Sequence, residues 1–149
     1  MKRFSPYFYA GENDLTHNNY RKFHPSKSFS LKTAKKQVIL GVSAYQGQTS
    51  ASLVCHTGEV LAESRHSSEK MAVWENMPNH CEEWQREKVP LVVEEVLAHP
   101  RAPKPSELYG IAVPLGPGMI PVTKIGIDFS LALGNKFNVP VIPINMIEA

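Results

Sequence analysis

Five consecutive apolar residues, Val38-Ile39-Leu40-Gly41-Val42, constrain the fold of this chain more than any other feature. A run of strand length with no polar alternation predicts a central strand covered on both faces. The residues that follow set the kind of sheet. Ala51-Ser52-Leu53-Val54-Cys55 and Val60-Leu61-Ala62 flank His56-Thr57-Gly58, a turn that suits a hairpin, so three antiparallel strands are expected in succession. A polar stretch from Ser64 to His80 leads to a helix expected from about Glu82 to Ala98, in which Val89, Val92, Val93 and Val96 recur at helical spacing. Pro90 inside it removes a backbone donor and predicts a kink or a late start. Tyr109-Gly110-Ile111-Ala112-Val113 reads as a fourth strand. Gly116-Pro117-Gly118 breaks the chain before a second helix, Val122 to Phe137, and Val139 to Pro143 reads as the last strand. Three strands, helix, strand, helix, strand is the order of a single α/β layered domain over residues 37–149, without internal repeat or second core.

Charge divides the chain at the start of that domain. Residues 1–36 hold eight Lys or Arg against two acids, a local charge of +6, whereas the remaining 113 residues hold eight basic and twelve acidic groups, a charge of −4. The first segment is polar, interleaves its cations with Phe4, Tyr7, Phe8, Tyr9, Tyr20, Phe23 and Phe29, and keeps no apolar period, so it is expected to be an extended arm rather than part of the core. Cations alternating with rings suit a segment that neutralises phosphates while bases stack. Arg21, Lys22, Lys27, Lys32, Lys35 and Lys36 are the residues expected to meet RNA or a protein partner. A basic, serine-rich targeting segment is the competing reading. The apolar stretches, such as Val89 to Leu97 and Ile125 to Leu133, are too short to span a bilayer, and no membrane insertion is expected. Two cysteines, Cys55 and Cys81, without Cys-x-x-Cys spacing, point to free thiols in an intracellular protein.

The strand and helix order, with Thr49-Ser50-Ala51-Ser52-Leu53-Val54, Gly58-Glu59-Val60-Leu61-Ala62-Glu63, the stretch Leu91 to Leu97 with its paired glutamates, Ile111-Ala112-Val113 running into Gly116-Pro117-Gly118-Met119-Ile120, and the terminal Pro143 to Ala149, resembles the amino-terminal lobe of the TsaD family. These are threonylcarbamoyl transferases that help make threonylcarbamoyladenosine in tRNA. The resemblance covers residues 37–149. It implies a ribonuclease-H-like lobe of the two-lobed actin, sugar-kinase and heat-shock ATPase fold: a three-stranded antiparallel hairpin sheet continued by strand-helix-strand units. Because the family has mitochondrial members, it also implies a mitochondrial location, with a cytoplasmic one as the alternative.

The family's chemistry does not carry over residue by residue. Its first strand ends in G-I-E-T-S-C-D-D-T, whose acidic and hydroxyl groups face nucleotide and metal, whereas Gly41 to Thr49 here reads G-V-S-A-Y-Q-G-Q-T. In the family's H-x-E-A-H metal motif, Met146 stands at the first histidine, and a thioether is a poor ligand for hard or borderline ions. No catalytic, cofactor-binding or metal-binding residue is therefore expected, and no cofactor. The leading expectation is a catalytically inactive TsaD-like domain serving as an interaction subunit of a larger assembly, such as an organellar ribonucleoprotein. The alternative is the first lobe of a tRNA threonylcarbamoyladenosine-synthesising transferase completed by another chain.

Other features carry weaker signals. Gly116-Pro117-Gly118 offers backbone N–H groups to a phosphate but reads more simply as a strand-to-helix turn, since no Lys or Ser/Thr follows in Walker spacing. His80 and Cys81 are two adjacent ligand types without a second pair. Glu82-Glu83 and Glu94-Glu95 point about 100° apart on a helix and read as solvated faces, and His56 and His66 read as surface residues flanking the third strand. In the second helix, Ile125, Phe129, Ala132 and Leu133 form one apolar side, expected on the sheet. Ile127 and Leu131 lie toward another side. With Leu91 of the first helix they are expected to dock a protein partner.

Overall fold

In the computed structural model, which describes residues 37–68 and 77–147, the central apolar run becomes the hub of a five-stranded sheet. Strands β1 (Val38–Tyr45), β2 (Gln48–Cys55) and β3 (Val60–Ser67) form the expected antiparallel meander, with pairing that runs from Val38 opposite Cys55 to Tyr45 opposite Gln48. After helix α1 (Met77–Leu97), strand β4 (Gly110–Pro114) pairs parallel to β1. Helix α2 (Ile120–Phe137) then leads to β5 (Val141–Ile144), parallel to β4. The strand order is β3-β2-β1-β4-β5. This is the α/β architecture the sequence implies. Residues 1–36, including Arg21, Lys22, Lys27, Lys32, Lys35 and Lys36, lie outside the described residues.

Local chemistry accounts for most boundaries. Gly58 turns the β2–β3 hairpin at φ 84°, a left-handed conformation open to glycine, and its N–H donates to the Cys55 carbonyl at 2.8 Å. β3 extends through Ser67, and α1 begins at Met77, so the stretch read as polar linker contributes to both elements. Pro90 neither delays nor ends α1. It sits on the exposed face, where solvent can serve the carbonyl its missing N–H leaves unpaired. α2 ends at Asn138, in the left-handed conformation at φ 55°, whose N–H and that of Val139 both point to the Gly134 carbonyl.

The expectation that β1 is covered on both faces is revised. α1 packs on β1, β2 and β3, α2 on β1, β4 and β5, and the helices pack on each other, all on one face of the sheet. The connections β3–α1–β4 and β4–α2–β5 step across the sheet in the same direction, so the usual right-handed sense places both helices together. Burial accordingly alternates. Val38, Leu40, Val42 and Ala44 are buried under the helices, as are Thr49, Ala51, Leu53 and Cys55, while Ile39, Gly41 and Ser43 on the other face are half-buried.

α2 lies on the sheet by a different side from the one its hydrophobicity suggests. Its buried residues are Val122, Thr123, Gly126, Ile127, Ser130 and Gly134, and Ile125, Phe129 and Leu133 lie half-buried on the flanks. Close approach is the reason. A Cβ at Gly126 would stand 3.0 Å from Ala44 Cβ, and one at Gly134 would stand 2.6 Å from Val141 Cγ2 and 2.8 Å from the Val139 carbonyl oxygen. Only small side chains let the helix axis come this near the strands. Ile127 consequently belongs to the chain's own core, at 5% exposure, and is withdrawn from the expected docking surface. Leu91 and Leu131 are half-buried, and Leu131 also packs against the core. No helix among the described residues is long and apolar enough to cross a membrane.

Candidate functional site

In open α/β sheets the carboxyl ends of parallel strands are where loops from separate parts of the chain converge. Three such loops meet here. The first is the Gln46-Gly47 turn after β1, the second is Leu115 to Met119 after β4, and the third is Asn145 to Ile147 after β5. The last two are tied by backbone bonds: the Leu115 N–H donates to the Ile144 carbonyl at 2.9 Å, and the Met146 N–H to the Gly116 carbonyl at 3.0 Å. Gly116 stands at φ 133°, which side-chain-bearing residues rarely adopt, and the Gly116–Pro117 bond is cis. The first loop meets the second through Tyr45. A Cβ on Gly118 would lie 3.2 and 3.4 Å from two carbons of the Tyr45 ring, so the absence of a side chain at 118 lets the ring rest on the start of α2.

The side chains of the three loops are neutral. Thr49 is 1% exposed and donates to the Ser43 carbonyl at 3.0 Å, so it braces the hairpin. The Gln48 side chain accepts from Arg65 at 2.9 Å. Thr123 donates from Oγ1 to the Met119 carbonyl at 3.1 Å, and Asn145 accepts at Oδ1 from the Ile147 N–H at 3.0 Å. Ser43, Tyr45, Gln46 and Gln48 present no carboxylate at the end of β1. Met146 is placed beside Gly116 by its backbone bond. Among the described residues, no three His, Cys, Asp or Glu side chains converge to hold a metal ion. Such a wall can shape a cleft and offer backbone hydrogen bonds, and among the described residues its three loops carry no Asp, Glu, His, Lys or Arg.

The remaining sequence candidates fall elsewhere. His56 is exposed in the β2–β3 turn. His66 lies within β3 rather than flanking it, and its Nε2 is 3.1 Å from Glu95 Oε2, which also accepts from the Ser64 hydroxyl. These bonds, that of Ser64 ahead of that of His66, hold the Glu95 carboxyl below the usual carboxylate range. Their place is the join between the edge strand and α1, where His66 pairs with Thr49 across the sheet and the Ser68 N–H donates to the Gly47 carbonyl at 2.7 Å, so the end of β3 adjoins the β1–β2 turn. Glu94 and Glu95 are exposed, as solvated helix positions would be, though Glu95 gains these two strand partners. His80 contacts Ser68 at 3.5 Å, while Cys81 is buried, and its burial pushes the thiol pKa up.

Gln85 is the residue the sequence reading passes over. It is wholly buried on α1, and its Nε2 donates to the carbonyls of Gln46 at 2.9 Å and Gln48 at 2.7 Å, at the tip of the β1–β2 hairpin. A signal was available: Cys81, Gln85, Val89, Val92 and Val96 follow the helical period, so a polar residue stands in line with the apolar stripe.

A sequence model of the tRNA N6-adenosine threonylcarbamoyltransferases, TsaD, matches residues 59–149. The chain belongs to the TsaD family. The mouse protein named mitochondrial tRNA N6-adenosine threonylcarbamoyltransferase is 35% identical over 115 residues, which make up 76% of this chain and 28% of that protein. Its human counterpart is 32% identical over 129 residues, 85% of this chain and 30% of the human protein. The chain thus spans less than a third of the length of these relatives. Among solved structures, YeaZ from Pseudomonas aeruginosa superposes with a TM-score of 0.56 at 17% identity over 73% of this chain and 43% of that one, a likeness of fold. The chain is thereby a TsaD-type member with the ribonuclease-H-like, actin-related fold its sequence implies.

Proposed function

We propose that residues 37–149 are the first lobe of a tRNA N6-adenosine threonylcarbamoyltransferase acting in mitochondria, with the opposite wall of the cleft supplied by the second lobe of such an enzyme. The observation that carries the reading is the match to transferases named mitochondrial across three quarters or more of the chain. Convergence of the β1, β4 and β5 loops on one edge supports it, because that edge is where a two-lobed enzyme of this fold class would close on its substrate. The side chains of those loops are neutral, so this lobe would contribute shape and backbone hydrogen bonds, and the second lobe the charged groups. In the same reading the basic arm contacts RNA, and Leu91 with Leu131 receives a protein partner.

The replacements in Gly41 to Thr49 and at Met146 favour a second reading, in which the domain is an inactive interaction subunit. Expression in cells lacking their mitochondrial transferase separates the two. Threonylcarbamoyladenosine in mitochondrial tRNA, measured by mass spectrometry, should return when the chain is co-expressed with the second lobe of a relative, and should stay absent with either part alone. Stable association of the two parts without any return of the modified nucleoside would overturn the transferase reading and leave the interaction subunit.

A further inference from the structure

A fully buried glutamine in an apolar stripe needs a reason, and Gln85 is only half satisfied. Its Oε1 has no partner among the described residues, so an apolar residue of similar volume would remove a stranded acceptor from the interior. What the amide does achieve lies at the hairpin tip. Its Nε2 bridges the carbonyls of Gln46 and Gln48 on either side of Gly47, and Gln46 itself holds φ 46°, a left-handed conformation unfavourable for a residue with a Cβ. The tip therefore needs an outside tie, and α1 provides it. Tyr45 precedes the tip directly and lays its ring against Gly118.

We infer that Gln85 is a positioning residue: by clamping the Gln46 and Gln48 carbonyls it fixes the β1–β2 tip and thereby seats Tyr45 on Gly118, forming the wall of the candidate cleft. The assignment rests on the proposed function only in treating that wall as part of a transferase cleft, and the clamp can be tested without it. A residue that merely fills the core would leave the Tyr45–Gly118 contact unchanged when replaced by a side chain of equal bulk.

The test is nuclear magnetic resonance on the full chain. Tyr45→Ala gives the reference, since it removes the ring-current displacement of the Gly118 Hα resonance. Gln85→Met keeps the length and loses both donors. It should abolish most of that displacement and speed amide exchange at Tyr45 and Gln48 at least tenfold beyond any change at Leu53 or Val92. Gln85→Glu adds a pH profile, because the ionised carboxylate faces two carbonyls with no proton to donate, whereas the protonated acid can donate to one of them. The Gly118 displacement should then recover as the pH is lowered. In the unmodified chain the Gln85 side-chain amide protons should exchange slowly. A Gly118 resonance unmoved by Gln85→Met, a flat pH profile for Gln85→Glu, or rapid exchange of the Gln85 amide protons would each overturn the assignment. If Gln85→Met does not fold, the last two measurements decide. Any of these three outcomes refutes the positioning role, while failure to restore the tRNA modification with the clamp present in the unmodified chain refutes the proposed function instead.

Discussion

Gly134→Ala tests whether close helix–sheet approach, rather than apolar surface, sets the pose of α2. The mutation has one favourable term: alanine in place of glycine in a helix gains about 0.8–1.0 kcal/mol. Against it stands the new methyl, 2.6 Å from Val141 Cγ2 and 2.8 Å from the Val139 carbonyl oxygen, where a comfortable carbon contact needs roughly 3.5–4.0 Å. Val141 could turn aside, but the Val139 carbonyl belongs to a cap in which the N–H groups of Asn138 and Val139 both return to Gly134. Moving that carbonyl disturbs the helix end and the entry to β5 together. Overpacking costs about 1–3 kcal/mol, and two contacts under 3.0 Å, one of them with backbone, put this site at about 2–3 kcal/mol, so that after the helix gain the net effect is a loss of about 1–2 kcal/mol. At roughly 4–8 °C per kcal/mol for a domain of this size, the melting temperature should fall by on the order of 5–15 °C. Circular dichroism melting and urea unfolding with an unchanged m value would measure it. Asn135→Ala, at the exposed neighbouring position, is the control and should be neutral or slightly stabilising. A Gly134→Ala melting temperature equal to or above that of the parent would show that the helix does not lie as close to β5 as described.

Further outcomes follow from the ion pairs, the arm and the helices. The Glu95 carboxylate is held below its ordinary value of about 4.5 by Ser64 and His66, so the stabilisation it contributes is present above that value and is lost as the pH falls through its lowered pKa. Glu95→Gln should therefore lower stability at neutral pH, and chemical denaturation should show the two proteins converging in acid; a difference that persists in acid would place the effect elsewhere. If the basic arm contacts RNA, each phosphate it neutralises adds about 0.7–0.9 to the slope of log affinity against log salt, and removal of residues 1–36 should flatten that slope while the lobe still unfolds cooperatively. Leu91→Glu should weaken a partner held by the helices by about 2–4 kcal/mol in a pull-down or titration and leave cooperative melting intact. Leu131→Glu should also lower the lobe's own stability, because Leu131 packs on the core.

The sequence by itself determined the order and kind of the elements, because the signals for these are local. The apolar run at Val38 marks a strand, Gly58 marks a hairpin turn, and Val89, Val92, Val93 and Val96 mark the buried stripe of a helix, each through a period or a dihedral requirement within a few residues. Comparison of Gly41 to Thr49 with the family signature likewise showed that the end of β1 would carry no carboxylate. Only the tertiary structure decided which side of α2 meets the sheet. A hydrophobic stripe favours Ile125, Phe129 and Leu133, but burial there depends on how near two backbones can come, and Gly126, Ser130 and Gly134 allow the nearer approach. It also decided that Ile127 is core and that His66 meets Glu95. The candidate site was beyond local reading for the same reason. Tyr45, Gly118 and Met146 are far apart in the chain and become neighbours because β1, β4 and β5 pair in parallel, which places the loops at their carboxyl ends along one edge of the sheet.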